Sequence, residues 1–334
     1  MSSPSLVGGI AIRASDLPGA LVFAVAYALL VPVFVARLAI PRSRNLLLVQ
    51  FLFFATERVV LFSLRAVAAA HPHTEGRGLT KYMQATFALG FITLAHIIST
   101  FARTVLVNST QPVGAAPQGS DTSLTPPPSK RGETVLADAP RRRFWFRRWS
   151  ECTGLTLFVP ALATGIVATA SLYPPDDTAD NTRSEALRYV STALGLALVL
   201  SVGGILLWAR WAIPHVNKRG VHFLLALTAL LIIPPVYRLA VLHNTTPDLA
   251  APAARALNTS GAKAAFYVLH VLPEWVVVAL AGACNVREIC ALGLVGERYQ
   301  KWRDETPQER ARREIKARER EKMRGAAEDG GRED

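Results

Sequence analysis

Seven predominantly apolar segments of about twenty residues recur along the chain, and nothing else in the sequence constrains its fold as tightly. They run approximately from Leu21 to Ile40, Leu46 to Ala69, Tyr82 to Val107, Thr153 to Tyr173, Tyr189 to Ile213, Val221 to His243 and Ala264 to Val286. A helix needs roughly 20 residues to cross about 30 Å of hydrocarbon, so each segment is long enough to span a bilayer. The runs are continuously apolar, whereas barrel strands alternate over about ten residues, which selects helices. The expected fold is therefore an all-α integral membrane protein. It comprises a short outer N-terminus (1–17), a seven-helix transmembrane domain (18–287) and a tail (288–334) with an amphipathic and then a charged helix. The first segment reads as a signal anchor rather than a removable signal peptide.

Composition agrees with this solvent. Hydrophobic residues make up 51% of the 334 positions and charged residues only 19%, which argues against a soluble two-domain enzyme. The net charge of +12 is not a nucleic-acid signature, because the tail from Glu288 to Asp334 holds twelve basic and twelve acidic residues. The whole excess therefore lies among the apolar segments, as expected of loops held against an anionic leaflet. Twelve Lys and Arg fall in the loops on one side and seven on the other, placing the N-terminus outside and the C-terminus in the cytosol of a plasma-membrane or endomembrane protein. Asn258-Thr259-Ser260 and Asn244-Thr245-Thr246 are glycosylation sequons on the outer side of this topology, the second weakened by Pro247, while Asn108-Ser109-Thr110 falls on the inner side.

The longest loop, 109–150, is expected to be disordered in its Pro/Ser/Gly/Thr-rich middle. It ends in Arg141-Arg142-Arg143-Phe144-Trp145-Phe146-Arg147-Arg148-Trp149, which suits anchoring to anionic lipid or docking of a cytosolic signalling partner. After the last span, Ile289, Leu292, Val295, Tyr299 and Trp302 would form one stripe on an interfacial helix. Thr306-Pro307-Gln308-Glu309 then caps a charged helix. Cys152, Cys284 and Cys290 all lie at the cytosolic boundary, where small buried thiols and palmitoylation are the two readings.

Ionisable groups at membrane depth are costly, so they mark where function is written. They are Glu57, Arg58 and Arg65 on the second segment, His96 on the third, Tyr237 and Arg238 after Pro234-Pro235 on the sixth, and His270 and Glu274 on the seventh. Charge balance predicts an interhelical pair of Glu57 or Glu274 with Arg238, and the four-residue step predicts contact between His270 and Glu274. Three readings stay open: a packing clamp, a polar cavity for a ligand or transported substrate, and intramembrane metal hydrolysis. The last lacks a convergent ligand set, and no phosphate loop, nucleophile elbow or Cys-x-x-Cys pair is present. No catalytic role, cofactor or metal is expected.

Glu57-Arg58-Val59-Val60-Leu61-Phe62, and Tyr267 to Trp275 running into Asn285-Val286-Arg287, resemble a group of fungal seven-transmembrane proteins described as G-protein-coupled-receptor-like. In layout the chain is also similar to the fungal lipid-translocating exporters of the aminocholesterol-resistance family. The resemblance covers Leu21 to about Arg298. Taken with the ionisable groups at membrane depth, it leads to the expectation of a receptor-like ligand cavity among helices two, three, six and seven, lined by Glu57, Arg58, His96, Tyr237, Arg238, His270 and Glu274, with export of a lipid or amphiphile as the alternative. Pro273 and Glu274 match the proline and acidic residue that the exporters tend to carry on helix seven. Phe101-Ala102-Arg103 stands where receptors have an Asp/Glu-Arg-Tyr-like triplet, and no outer cysteine is present for the receptors' disulfide.

Overall fold

The computed structural model describes residues 5–11, 13–71, 76–110, 140–172, 181–244, 257–294 and 315. The described chain folds into α1 (Arg13–Ala39), α2 (Leu48–Ala70), α3 (Arg77–Asn108), α4 (Pro140–Thr153), α5 (Val159–Ala170), α6 (Asn181–Ala212), α7 (Lys218–Val241), α8 (Ser260–Phe266), α9 (Leu272–Ala283) and α10 (Val286–Ile289). Among the described residues, six helical runs are long and apolar enough to cross a membrane: Ser15–Ala39, Arg77–Asn108, Arg141–Ala170, Arg183–Ala212, Lys218–Val241 and Ser260–Ala283. The seventh expected span, α2, is not one of them. Its 23 residues carry Glu57, Arg58 and Arg65 so close together that every stretch of spanning length contains all three.

Two spans are assembled from pieces joined by wide π turns, Gly154–Phe158 between α4 and α5, and Tyr267–Val271 between α8 and α9. Each turn immediately precedes a proline, Pro160 or Pro273, in the first turn of the next helix. A proline ring collides with the carbonyl four residues back and offers no N–H to it, and widening the preceding turn relieves both problems. The amide of Val159 accordingly donates to the Gly154 carbonyl, and that of Leu272 to the Tyr267 carbonyl, each five residues back.

α3 lies at the centre, with 67% of its membrane-length window buried, and is packed by α2, α4, α5, α6, α7 and α9. α1, 22% buried, lies against α2 and turns Leu21, Val22, Val25 and Leu29 outward. An aromatic ladder fills the seam between α1, α2, α3 and α8: Phe34 stacks on Phe51 and Tyr27 on Phe62, and Phe87 meets Phe266 edge-on at 4.9 Å. Hydroxyls within the helices are satisfied locally, since Thr100, Thr104, Thr164, Thr169, Thr192 and Thr228 each donate to the carbonyl four residues back.

Several expectations need correction. The basic-aromatic block is not loop: 140–150 belongs to α4, and Arg143 is turned inward to donate to Thr110 Oγ1 at 3.1 Å, with Phe146 buried beside it. The expected interfacial helix after the last span breaks at once. Ala291 adopts a left-handed φ of 50°, the Leu292 amide closes back onto the Arg287 carbonyl, and Leu292 is buried. This turn is tied beneath the bundle by three asparagines: Asn45 donates to Gly293, Asn108 to Ala291 and Asn217 to Ile289. The stripe positions Val295, Tyr299 and Trp302, the loop middle at 112–129 and the cap at Thr306 lie outside the described residues. The thiols divide: Cys152 is exposed, Cys284 is partly buried, and Cys290 is 1% exposed, which removes it as an acylation site.

Candidate functional site

Within the N-terminus that the sequence places on the outer side, residues 5–11 form a buried strap. Ser5 to Ala11 enter one end of the bundle between α2, α3, α6 and α8 and are shielded from solvent throughout. Gly8 and Gly9 make the turn that allows this, with φ of 78° and 61°. A Cβ on Gly9 would fall 2.5 Å from Asn258 Oδ1 and 2.7 Å from the Leu257 carbonyl, so the backbone passes where a larger residue could not.

Polar side chains hold the strap from four helices. Gln84 on α3 pairs with Val7 as a strand neighbour would, accepting from its amide at 3.1 Å and donating to its carbonyl at 3.0 Å. Arg188 on α6 donates to Gln84 Oε1 and to the Ser5 carbonyl. Lys263 on α8 donates to the carbonyls of Gly8 and Ile10, and Arg65 on α2 to that of Gly8 at 2.7 Å. Asn258 Oδ1 accepts from the Ile10 amide. Arg188 and Lys263, which sequence alone places among the outer loop charges, are thus drawn into the bundle.

Directly beneath, Asp16 on α1 takes two cations at once. Arg65 Nη2 lies 2.6 Å from its Oδ1 and Lys263 Nζ 2.6 Å from its Oδ2, and all three side chains are essentially sealed from solvent. Tyr267 also donates to Asp16. Deeper, at the middle of α2, Arg58 Nη2 stands 2.8 Å from Glu274 Oε2, and Nη1 donates to the Thr86 carbonyl. Gly90 of α3 makes room for this pair: a Cβ there would lie 1.5 Å from Arg58 Nη2 and 2.9 Å from Glu274 Oε1.

The expected interhelical pairing therefore exists, but with a different cation. Glu274 takes Arg58, not Arg238, and Arg58 also has Glu57 Oε2 at 3.6 Å. The side chain of Arg238, 1% exposed, makes no hydrogen bond or ion pair among the described residues, and its Nε and Nη1 are cut off from solvent. The π turn at Tyr267–Val271 shifts His270 out of the four-residue register with Glu274, so the predicted bond between them does not form. His270 is instead caged by rings, with Phe266 at 5.5 Å, Phe87 at 6.0 Å and Tyr237 at 6.2 Å.

Arg58, Tyr237, Arg238, His270 and Glu274 thus converge in the bundle, whereas Glu57 and His96 face elsewhere. Both line a lateral groove of about 560 Å³ between α2 and α3, together with Phe53, Tyr82, Thr86 and Leu89. There the Tyr82 hydroxyl donates to Glu57 at 3.3 Å, and His96 stacks on Phe158 at 4.0 Å. Among the described residues, no three His, Cys, Asp or Glu side chains gather around a point that could hold a metal. Asn244 is half-buried, its Nδ2 capping the Val241 carbonyl.

Asp16, Gln84 and Lys263 escaped the sequence reading. Asp16 and Lys263 sit at the margins of apolar runs, where ionised residues are ordinarily exposed flanks, and Gln84 carries no charge to mark it. Their one signal is the Gly8-Gly9 pair ahead of the first span, which permits a turn into a packed space. No family model, curated protein or solved structure matches the chain.

Proposed function

We propose that the chain is a receptor-like, seven-crossing membrane protein that binds a small ligand in the polar shaft running from the Arg58–Glu274 pair to the Ser5–Ala11 strap. The observation that carries this reading is the strap itself: a chain segment occupying the mouth of a bundle and held by Arg65, Lys263, Arg188 and Gln84, contacts that a ligand can exchange for its own. The strap end is the outer side, with the C-terminus cytosolic, in keeping with the basic residues of the opposite loops.

α2 is taken as the seventh crossing. At about 34 Å it is long enough. Two of its three ionised residues, Arg58 and Arg65, are buried and paired inside, leaving Phe53, Val60 and Val67 on its outward face. Docking of a cytosolic partner on the inner face of α4, where Phe144 and Trp145 are exposed beside Arg141 and Arg142, completes the receptor reading.

A second reading, translocation of an amphiphile, is favoured by the groove between α2 and α3, which pairs apolar walls with the partly exposed Glu57. One experiment separates the two. The full-length protein carrying Val7→Cys is treated in intact cells with an impermeant thiol reagent while a compound panel is applied. Compounds that stabilise the protein and unmask position 7 support the receptor reading. Compounds that stabilise it only when Glu57 is present, with position 7 still masked, overturn that reading in favour of the groove.

A further inference from the structure

The strap is gripped through its peptide bonds. Leu6, Val7, Gly8, Gly9, Ile10 and Ala11 have no polar side-chain atom, and the Ser5 hydroxyl is buried without a partner among the described residues. The hydrogen bonds that fix the segment to the helices therefore end on its main chain. Gln84 pairs with both the amide and the carbonyl of Val7, at 3.1 and 3.0 Å. Arg65 and Lys263 donate to the Gly8 carbonyl, Lys263 also to that of Ile10, and Arg188 to that of Ser5, while Asn258 Oδ1 accepts from the Ile10 amide at 2.9 Å.

Such an array matches a peptide backbone. It presents donors and acceptors together, as a chain presents C=O and N–H, whereas an anion or a lipid phosphate brings acceptors alone and no amide for Gln84 Oε1 or Asn258 Oδ1 to receive. Main-chain bonds hold any sequence of the right shape, and the space around the side chains selects among them. Selection here falls first on two positions. Gly8 and Gly9 have φ of 78° and 61°, and a Cβ would lie 2.9 Å from the Phe266 ring at the one and 2.5 Å from Asn258 Oδ1 at the other. On either side of them Leu6, Val7 and Ile10 are buried apolar anchors.

We propose that the mouth of the bundle is a peptide-binding site, taking from the outer side a short peptide in which two adjacent glycines stand between apolar residues. The main chain of that peptide occupies the places of Val7 to Ile10 when the strap leaves. The inference rests on the ligand exchange proposed above and names the class of ligand. Being tethered, the strap competes at a local concentration on the order of millimolar, so it holds the site against weak or unrelated peptides.

The test uses the full-length protein in neutral detergent and the synthetic peptide Ser-Leu-Val-Gly-Gly-Ile-Ala, acetylated and amidated so that it carries no charge. Gly9→Val opens the site, because a branched side chain cannot follow a φ of 61° between Asn258 and Leu257. The peptide should raise the melting temperature of this variant saturably. An analogue with an ester oxygen in place of the valine N–H, the group that Gln84 receives, should bind at least about tenfold more weakly. Replacing the serine of the peptide by alanine should change binding less than about threefold, because no described residue meets that hydroxyl. A peptide of the same composition with its glycines separated should have no effect. If Gly9→Val does not fold, the Val7→Cys protein carries the test: millimolar peptide should speed thiol labelling at position 7, and the ester analogue should not.

No saturable binding of the peptide to either protein, or binding that the ester and the separated glycines leave unchanged, overturns the proposal. If non-peptide compounds unmask position 7 while the peptide does nothing, the peptide site falls and the receptor reading stands. If the peptide binds the Gly9→Val protein with the expected ester sensitivity, yet neither it nor any compound unmasks position 7 in the Val7→Cys protein, the peptide site stands and ligand exchange as the function falls.

Discussion

Arg58 and Glu274 are separated by 216 positions in the chain and by 2.8 Å between Nη2 and Oε2 in the bundle. Removing either partner leaves the other ionised where little water reaches, which costs about 3 kcal/mol or more. Glu274→Leu is therefore expected to lower the melting temperature in detergent sharply. The double variant Arg58→Leu/Glu274→Leu should recover much of that loss. Additive losses in a double-mutant cycle would show that the pair contributes nothing as a unit.

Gly90 is the position on α3 that admits this pair. Gly90→Ala places a methyl group where Arg58 Nη2 now lies and is expected to destabilise the protein about as much as breaking the pair. Gly204→Ala on α6, with open space around the new atom, should be neutral or stabilising by about 0.5–1 kcal/mol. Thermal unfolding of the two variants side by side checks the contrast.

The strap depends on Asp16 holding its two cations. Asp16→Asn leaves Arg65 and Lys263 facing a neutral amide, and the expected consequence is partial release of Ser5–Ala11. In the Val7→Cys background this should raise the labelling rate at position 7 severalfold without ligand. A rate unchanged from the parent would mean that Gln84 and Arg188 suffice to hold the segment.

Cys290 gives a pH signature outside the spans. Burial pushes its thiol up to about 12. The folded protein therefore keeps this proton at pH values where the unfolded chain, titrating near 9, has lost it. Stability from this group is complete below pH 9 and falls as pH rises from 9 towards 12. Cys290→Ala should flatten that decline, and at about pH 8, below both values, a thiol reagent should modify Cys152 but reach Cys290 only after unfolding.

Much of this architecture could be read from the chain, because hydropathy reports the solvent each segment meets. The six apolar spans emerge directly, and so does the burial of Arg58, His270 and Glu274 inside the bundle, since an apolar run tolerates an ionisable residue only where the bundle interior gives it a partner or a task. Partner choice was not legible. Whether Glu274 meets Arg58 or Arg238 depends on helix rotation, and the wide turn before Pro273 changes that rotation by an amount no residue spacing encodes. The strap was hidden for a different reason. The apolar run around Val7 and Ile10, bounded by Ser5 and Arg13, is too short to form a span, and short apolar stretches look alike whether they enter a bundle or trail from it.

The strap also sets an order of events. Gly8 and Lys263 touch across 255 positions, so the anchor that completes its seating is synthesised long after the strap itself has left the ribosome. Until α8 is in place the carbonyls of Gly8 and Ile10 lack their ammonium, and the strap is held only by Arg65, Gln84 and Arg188, so the seating of an early segment is completed by a late one.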